Sequence, residues 1–314
     1  MKLSYLAYSA VVLVALTHMP FTVAQGTTSQ DDSTPAATTY SYRAINAPGA
    51  SATYAYAVNN SGEIVGIITG GDCAQTSDQS SCGFVDVKGA FTTVACELEN
   101  ATDFFDISNT NEVVGAYSFF GGVNGLIWEG NEACSPLADP NGSAFTEAWG
   151  VNVKGNIVGF YIDSAGNFQG FEYFASSATY KTISCAGWTN TRAYGINDAG
   201  VIVGDVANST TGPFSGMEYS SGKCTVFNFP SAAATYARGI NKSGEISGFY
   251  TTTTGVTSGF QKTGNKYTSL SFPKSTGSLA YHLNDRGQIA GWYEDTAGAV
   301  HGFVATPKQA ADSQ

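Results

Sequence analysis

Charge is scarce in this chain, and positive charge scarcest. Only 12% of its 314 residues are charged, with 14 Lys+Arg against 25 Asp+Glu and a formal net charge of −11. A surface of that sign repels phosphate backbones, so nucleic acid is not an expected partner. Histidine is nearly absent, with three in all, and no Cys/His spacing matches a zinc site, so neither a metal nor a cofactor is expected. Apolar runs are short. The longest, Ala10-Val-Val-Leu-Val-Ala-Leu16, falls well below the ~20 residues a membrane helix needs, so no membrane span is expected. Gly-x-Ser-x-Gly, His-Glu-x-x-His and phosphate-loop motifs are missing, which argues against serine hydrolases, zincins and nucleotide-dependent enzymes.

What the chain does have is one sentence written six times. The copies are AYAVNNSGEIVG (55–66), FFDISNTNEVVG (104–115), AWGVNVKGNIVG (148–159), AYGINDAGVIVG (193–204), ARGINKSGEISG (237–248) and AYHLNDRGQIAG (280–291). Each is followed by Gly and a hydrophobic residue: Gly83-Phe84, Gly125-Leu126, Gly170-Phe171, Gly216-Met217, Gly259-Phe260 and Gly302-Phe303. A fixed period of ~40–45 residues is the size of a four-stranded propeller blade.

Repeat five shows the pattern. Tyr236–Ile240 reads as a strand, Asn241–Gly244 as a tight turn and Glu245–Tyr250 as a second strand. Gly259–Lys262 and Tyr267–Phe272 read as strands three and four around a Thr263–Asn265 turn. Repeat six stops after its third strand, His301–Ala305, while a spare strand, Tyr42–Pro48, precedes repeat one and matches Tyr267–Pro273 position by position. The expected fold is therefore an all-β, six-bladed β-propeller of four-stranded blades, closed by the N-terminal strand completing the last blade. Closure removes the sheet edge that would otherwise aggregate. The expected boundaries are a signal peptide at 1–24, a disordered linker at 25–38, the propeller at 39–306 and a tail at 307–314. Lys2, the short apolar stretch, and Thr22 and Ala24 before Gln25 carry the signal-peptide reading and the expectation of an extracellular, secreted protein.

Six cysteines suit an oxidising compartment. Cys73 and Cys82 share one loop and suggest a local staple. Cys96 and Cys185 end the last strand of repeats one and three, whereas Cys134 and Cys224 begin that of repeats two and four. Pairing Cys96 with Cys134 and Cys185 with Cys224 would tie neighbouring repeats twice in the same way, provided the Cα atoms come within ~7 Å. Glycosylation sequons occur at Asn59, Asn100, Asn141, Asn208 and Asn241.

The pattern Gly-Ile-Asn-x-x-Gly-x-Ile-Val-Gly followed by x-Gly-Phe resembles the HAF-repeat family of extracellular repeat proteins, over residues ~40–305. Repeat two departs most, with Ser108 for the Asn and Asn111 for the Gly. The resemblance implies secretion and a repeat fold, and no activity.

The Asn-x-x-Gly segments read as hairpin turns rather than metal loops, because Lys154, Lys242 and Arg286 intrude on them. Departures from the repeat are the better guide to function. The residue before the conserved Ala varies (Tyr54, Asp103, Glu147, Arg192, Tyr236, Leu279), and the residue after it is aromatic (Tyr56, Phe105, Trp149, Tyr194, Tyr281) except at Arg238. Asp106 and His282 replace a small residue. Tyr54, Asp103, Asp106, Glu147, Trp149, Arg192, Tyr236, Arg238 and His282 are thereby expected to ring the channel mouth on the face of the strand 2–3 loops. Aromatic faces, carboxylates and guanidinium groups are the chemistry of sugar binding. The leading expectation is a secreted binding module, lectin-like, whose partner is carbohydrate or an extracellular protein. One alternative is a glycan-active hydrolase or lyase using the mouth carboxylates. Another is a structural surface protein, with Arg192 or Arg238 merely pairing the carboxylates.

Overall fold

A computed structural model describes residues 39–308 apart from 72, 74–79, 97–100, 120 and 131–133. The expected signal peptide, the whole of the linker (25–38) and most of the tail therefore lie outside the described residues, as does Asn100. The strand that precedes repeat one is β1 (Tyr40–Ile45). Repeat one then folds as β2 (Ala52–Val58), β3 (Ile64–Thr69), β4 (Cys82–Val87) and β5 (Ala90–Val94). Blades two to five repeat this meander as β6–β9 (101–137), β10–β13 (146–183), β14–β17 (190–227) and β18–β21 (232–270). The sixth combines β22 (Gly277–Leu283), β23 (Ile289–Glu294) and β24 (Val300–Pro307) with β1, giving six four-stranded sheets among the described residues.

Closure occurs in the register the sequence implies. Ile45 of β1 sits opposite Gly302, as Leu270 sits opposite Gly259 one blade earlier. Strand ends differ from expectation by a few residues. β1 starts two residues earlier and stops at Ile45, and β24 runs to Pro307, where Lys308 N–H donates to Thr39 O at 2.8 Å. The first strand of blade five runs from Ala232 rather than Tyr236, carrying two register shifts that extend its pairing.

Three landmarks of the repeat now have physical causes. In each blade the first strand carries a bulge just after the conserved Ala, or after Phe104 in its place in blade two. On the adjacent strand sits the Gly that closes each Ile-Val-Gly; a Cβ on Gly66 would lie 1.9 Å from Tyr54 O, and on Gly159 1.9 Å from Glu147 O. Second, the Gly of Gly-Phe faces the inner strand of the next blade. A Cβ on Gly259 would stand 2.9 Å from the Ala280 Cβ, and on Gly302 3.0 Å from the Ala55 Cβ. Third, Phe84, Phe171, Phe260 and Phe303 are buried in the blade cores, each worth about 1.5–3 kcal/mol by transfer.

The Asn-x-x-Gly segments are hairpin turns, as expected. Asn59, Asn152, Asn197, Asn241 and Asn284 each accept the N–H of the Gly three residues on. Each Asn Oδ1 also caps the N–H groups two and four residues on. The amide end does something sequence spacing does not reveal: it donates to the carbonyl of the equivalent residue in the next blade. Asn152 bonds Asn197 O, Asn197 bonds Asn241 O, Asn241 bonds Asn284 O, and Asn284 bonds Asn59 O, at 3.0–3.3 Å. Asn59 reaches Ser108 O at 3.5 Å. The circle breaks only at Ser108, whose side chain is too short to cross. There Asp106 Oδ2 takes over by accepting Val151 N–H at 2.9 Å.

This ring decides which sequons the fold tolerates. Asn59 and Asn241 are 2% and 3% exposed, and a glycan on Nδ2 would replace a ring donor with a sugar. Asn141 and Asn208 are exposed. Expressed in a glycosylating secretory host, the folded protein is expected to carry sugar at Asn141 or Asn208 and none at Asn59 or Asn241. Peptide mapping checks this, and an occupied Asn241 in folded protein contradicts the ring.

The three disulfides are Cys73–Cys82, Cys96–Cys134 and Cys185–Cys224, with Cα–Cα distances of 5.5–5.7 Å. The last two stitch blade one to two and blade three to four, as expected. Their sequence separations of 38 and 39 residues correspond to about 4 kcal/mol each by loop entropy.

Candidate functional site

The inner strands stack four levels of side chains along the axis. At the loop face lie Tyr54, Asp103, Glu147, Arg192, Tyr236 and Leu279, opposite Ile67, Ala116, Phe160, Asp205, Phe249 and Trp292 on the second strands. Next comes the bulge level: Tyr56, Phe105, Trp149, Tyr194, Arg238 and Tyr281. A bulge re-aims one side chain per strand, and here the six pack on one another across the axis. Phe105 stacks on Trp149 at 3.8 Å, Trp149 meets Tyr194 edge-on at 4.8 Å, and Tyr281 meets Tyr56 at 4.5 Å. The Arg238 guanidinium lies 3.7 Å above the Tyr194 ring, filling the place of a sixth aromatic. All six are at most 5% exposed. Beyond this plug come Ala57, Asp106, Gly150, Gly195, Gly239 and His282, and then the ring of turns.

The channel mouth expected from the sequence is therefore closed, and the nine candidate residues do not form one ring. Trp149 and Arg238 belong to the plug. Asp106 and His282 lie on its far side, facing the turns. Only Tyr54, Asp103, Glu147, Arg192 and Tyr236 stand at the loop face. The sequence assigned all nine to one level because the bulge, which shifts the register by a residue, is invisible in spacing.

Two arrangements dominate the loop face. Asp205, fully buried, holds Arg192 Nε at 2.8 Å and Arg238 Nη1 at 2.9 Å. Arg192 is further walled by Phe214 at 4.1 Å and Phe168 at 5.4 Å. These neighbours raise its pKa despite burial, the Asp205 charge foremost. Asp205, Phe168 and Phe214 were missed by sequence reasoning. Asp205 had a signal: it alone is charged among the residues that follow the Ile-Val-Gly glycine. The second arrangement is a pair of carboxylates on neighbouring blades. Asp103 accepts from Ser81 Oγ at 2.7 Å and Glu147 from Trp149 Nε1 at 2.8 Å. Burial pushes Asp103 up to about 6, against the Ser81 bond. Burial likewise pushes Glu147 up to about 7, opposed by the Trp149 bond and Arg192 and reinforced by the Asp103 charge. Both carboxyls can thus change protonation near neutrality, and both can accept from a ligand hydroxyl.

On the turn face the axis opens as a small polar funnel of about 60 Å³. Asp106 Oδ1 approaches His282 Nδ1 at 3.3 Å in its wall. Among the described residues no three His, Cys, Asp or Glu side chains are placed to hold a metal ion, and no helix is long and apolar enough to cross a membrane.

No family model and no curated protein matches the chain. Solved structures do match in fold. An arginine-to-alanine triple mutant of AofleA from Arthrobotrys oligospora superposes with a TM-score of 0.52 at 11% identity, covering 85% of this chain and 86% of that one. TolB from Acinetobacter baumannii gives 0.50 at 10% identity over 78% of this chain, which spans 63% of TolB. Aleuria aurantia lectin, in complex with Fucalpha1-6GlcNAc, gives 0.49 at 10% identity, covering 83% and 98%. At these identities the likeness is one of architecture, and this chain is a six-bladed β-propeller of four-stranded antiparallel blades.

Proposed function

We propose that this protein is a secreted, lectin-like propeller that binds carbohydrate on its loop face, and that it belongs with the HAF-repeat proteins its repeat resembles. The observation that carries the reading is the loop-face rim. Asp103, Glu147 and Arg192 supply two carboxylates and an oriented guanidinium. Around them stand Tyr54, Phe168, Phe214, Tyr236 and Trp292, with Tyr54 edge-on to Trp292 at 5.3 Å and Tyr236 stacked on Phe249 at 4.6 Å. Apolar ring faces suit the C–H face of a sugar, and the charged groups suit its hydroxyls. Three disulfides fit an oxidising, extracellular location. The net charge of −11 disfavours nucleic acid.

The test is a glycan array with the intact protein and an Asp103→Asn variant. The variant keeps the Ser81 bond and the shape of the rim, so folding is retained. It is expected to lose about 10–100-fold in affinity, the worth of one charge-assisted hydrogen bond. Binding unchanged by the substitution places the ligand elsewhere. No binding to any glycan removes the reading.

A second reading has its own support. A carboxyl protonated near neutrality beside an ionisable neighbour is what a glycoside-cleaving acid–base pair requires. Reducing-end release from a glycan bound on the array, abolished by Glu147→Gln, would favour it over simple binding.

A further inference from the structure

The loop face holds one positive charge that the fold leaves unbalanced. Asp205, with no exposed side-chain surface, accepts from Arg238 Nη1 at 2.9 Å and from Arg192 Nε at 2.8 Å. Two guanidinium groups therefore share one carboxylate. Arg238 is enclosed in the plug and needs that carboxylate as its counterion, so Asp205 has a partner without Arg192. The other carboxyls of the rim do not make up the difference. Among the described residues neither Asp103 nor Glu147 forms an ion pair with Arg192. They accept from Ser81 and Trp149 instead. Burial, which pushes Glu147 up to about 7, also makes it a weak counterion at neutral pH.

Arg192 is held in place as well as unbalanced. Its guanidinium carbon lies 4.1 Å from the Phe214 ring centre, 5.4 Å from that of Phe168 and 5.6 Å from that of Tyr194. Nε is taken by Asp205. Nη1 and Nη2 donate to no group among the described residues, and neither is buried. The 15% of the side chain that stays exposed thus includes both free nitrogens. A guanidinium fixed by a carboxylate and by aromatic rings gives up little freedom when it binds. Half-buried Phe168 and Tyr236 offer ring surface nearby, with Tyr236 5.4 Å from Phe214. Burial and the Asp205 charge keep the Tyr236 hydroxyl protonated, which adds a donor.

We propose that the loop-face site takes an acidic sugar, a uronic acid or another carboxylated monosaccharide, and seats its carboxylate on the two free nitrogens of Arg192. The inference rests on the carbohydrate reading above and names the class of sugar. Two properties of the site select it. Charge is the first: a carboxylate supplies the counterion that the Arg192–Asp205–Arg238 triad lacks, whereas neutral hydroxyls use the donors and leave the charge standing. Shape is the second. The two oxygens of a planar carboxylate match the paired N–H groups of a guanidinium fork, the strongest form of charge-assisted hydrogen bond. A tetrahedral sulfate or phosphate ester, with three oxygens to satisfy, gains from a second cation, and Arg192 is the one cation among the described side chains of this level. The net charge of −11 repels dense polyanions. The match is therefore to an isolated or chain-end carboxylate, which meets mainly the local charge because salt screens the rest beyond about 8 Å.

The test is an array of glycans ending in carboxylated sugars, printed beside neutral and sulfated counterparts of the same linkage. A duplicate array has its carboxylates methyl-esterified, which keeps each ring and linkage and removes the charge, so this arm needs no variant. The intact protein is expected to bind carboxylated spots and to lose about 10–100-fold on the esterified duplicate. Arg192→Gln is expected to lose as much. Arg192→Lys keeps a cation against Asp205, and with it the fold, but loses the fork, and is expected to weaken binding about tenfold. Equal binding to carboxylated and neutral spots, weakened by Asp103→Asn, overturns the proposal and leaves the carbohydrate reading standing. Carboxylated spots bound as tightly by both Arg192 variants, or sulfated spots bound as tightly as carboxylated ones, also overturn it. Binding to no spot removes the proposal and the reading together.

Discussion

Asp205→Asn is expected to destabilise the protein by about 3–5 kcal/mol, the cost of removing one partner of a buried ion pair. Asparagine fits the same space, so packing is kept and the effect isolates charge. Arg192, 15% exposed in its side chain, can relax toward solvent at the loop face. Arg238 cannot: its side chain is 6% exposed and sits inside the aromatic plug. What it keeps is a bond to Ala237 O at 3.0 Å and its positions over Tyr194 and Phe249, with Nε already unpartnered. Neutral contacts of that kind hold a guanidinium in place but do not replace its counterion. A double variant, Asp205→Ile with Arg238→Tyr, places at both positions a residue that other blades use, as at Ile67 and at Tyr56, Tyr194 and Tyr281, and is expected to recover most of the loss. Denaturant midpoints of the three proteins measure this. An unchanged midpoint in Asp205→Asn would show that water already screens the triad.

The fold was legible because its signals are local and repeated. Six turns, six Gly-Phe pairs and one displaced strand each carry a steric requirement that a single sequence exposes. The match of Tyr42–Pro48 to Tyr267–Pro273 even gave the closing register, since Ile45 and Leu270 occupy the same place opposite Gly302 and Gly259. The disulfides followed from the same periodicity. What stayed hidden was the circle of Asn amides. Its donors reach a neighbouring blade some 44 residues away, and nothing within one repeat distinguishes that from a turn cap.

The candidate site was legible as a set of departures and illegible as a geometry. Each of the nine candidate residues, from Tyr54 to His282, lies on the first strand of its blade. Their heights along the axis depended on the bulge after each conserved Ala, which turns one residue inward and offsets the next. Asp106 was thus read beside Asp103, yet the two lie on opposite sides of the plug. Asp205 lies outside that set because the departures gather on the first strand of each repeat, while the ion pair runs across to the second.

The loop-face carboxylates make stability rise as pH falls, across a window where most proteins change little. Glu147 is held at about 7 and Asp103 at about 6, against 4.5 and 3.8 for the free side chains. The folded state therefore binds their protons more tightly than the unfolded chain does. Their favourable contribution is complete below about pH 4 and is lost as pH rises through the folded values, by about pH 8. For Glu147 the gap between 4.5 and about 7 is worth about 3 kcal/mol; Asp103, half-buried and partly screened, adds less. Burial raises Glu112, Asp139 and Glu172 as well, in the same sense. The exposed Asp163 and Asp295 are lowered by their turn hydrogen bonds and act oppositely, but only below pH 4. Thermal midpoints are therefore expected to rise from pH 8 to pH 5, and Glu147→Gln is expected to flatten most of that slope by fixing the side chain in its neutral form. The glutamine can still accept from Trp149 Nε1, so the plug keeps its polar tie and a flattened slope reports the charge. A slope that survives in Glu147→Gln would move its origin to the other buried carboxyls, and would leave the loop face with a charged Glu147 at neutral pH.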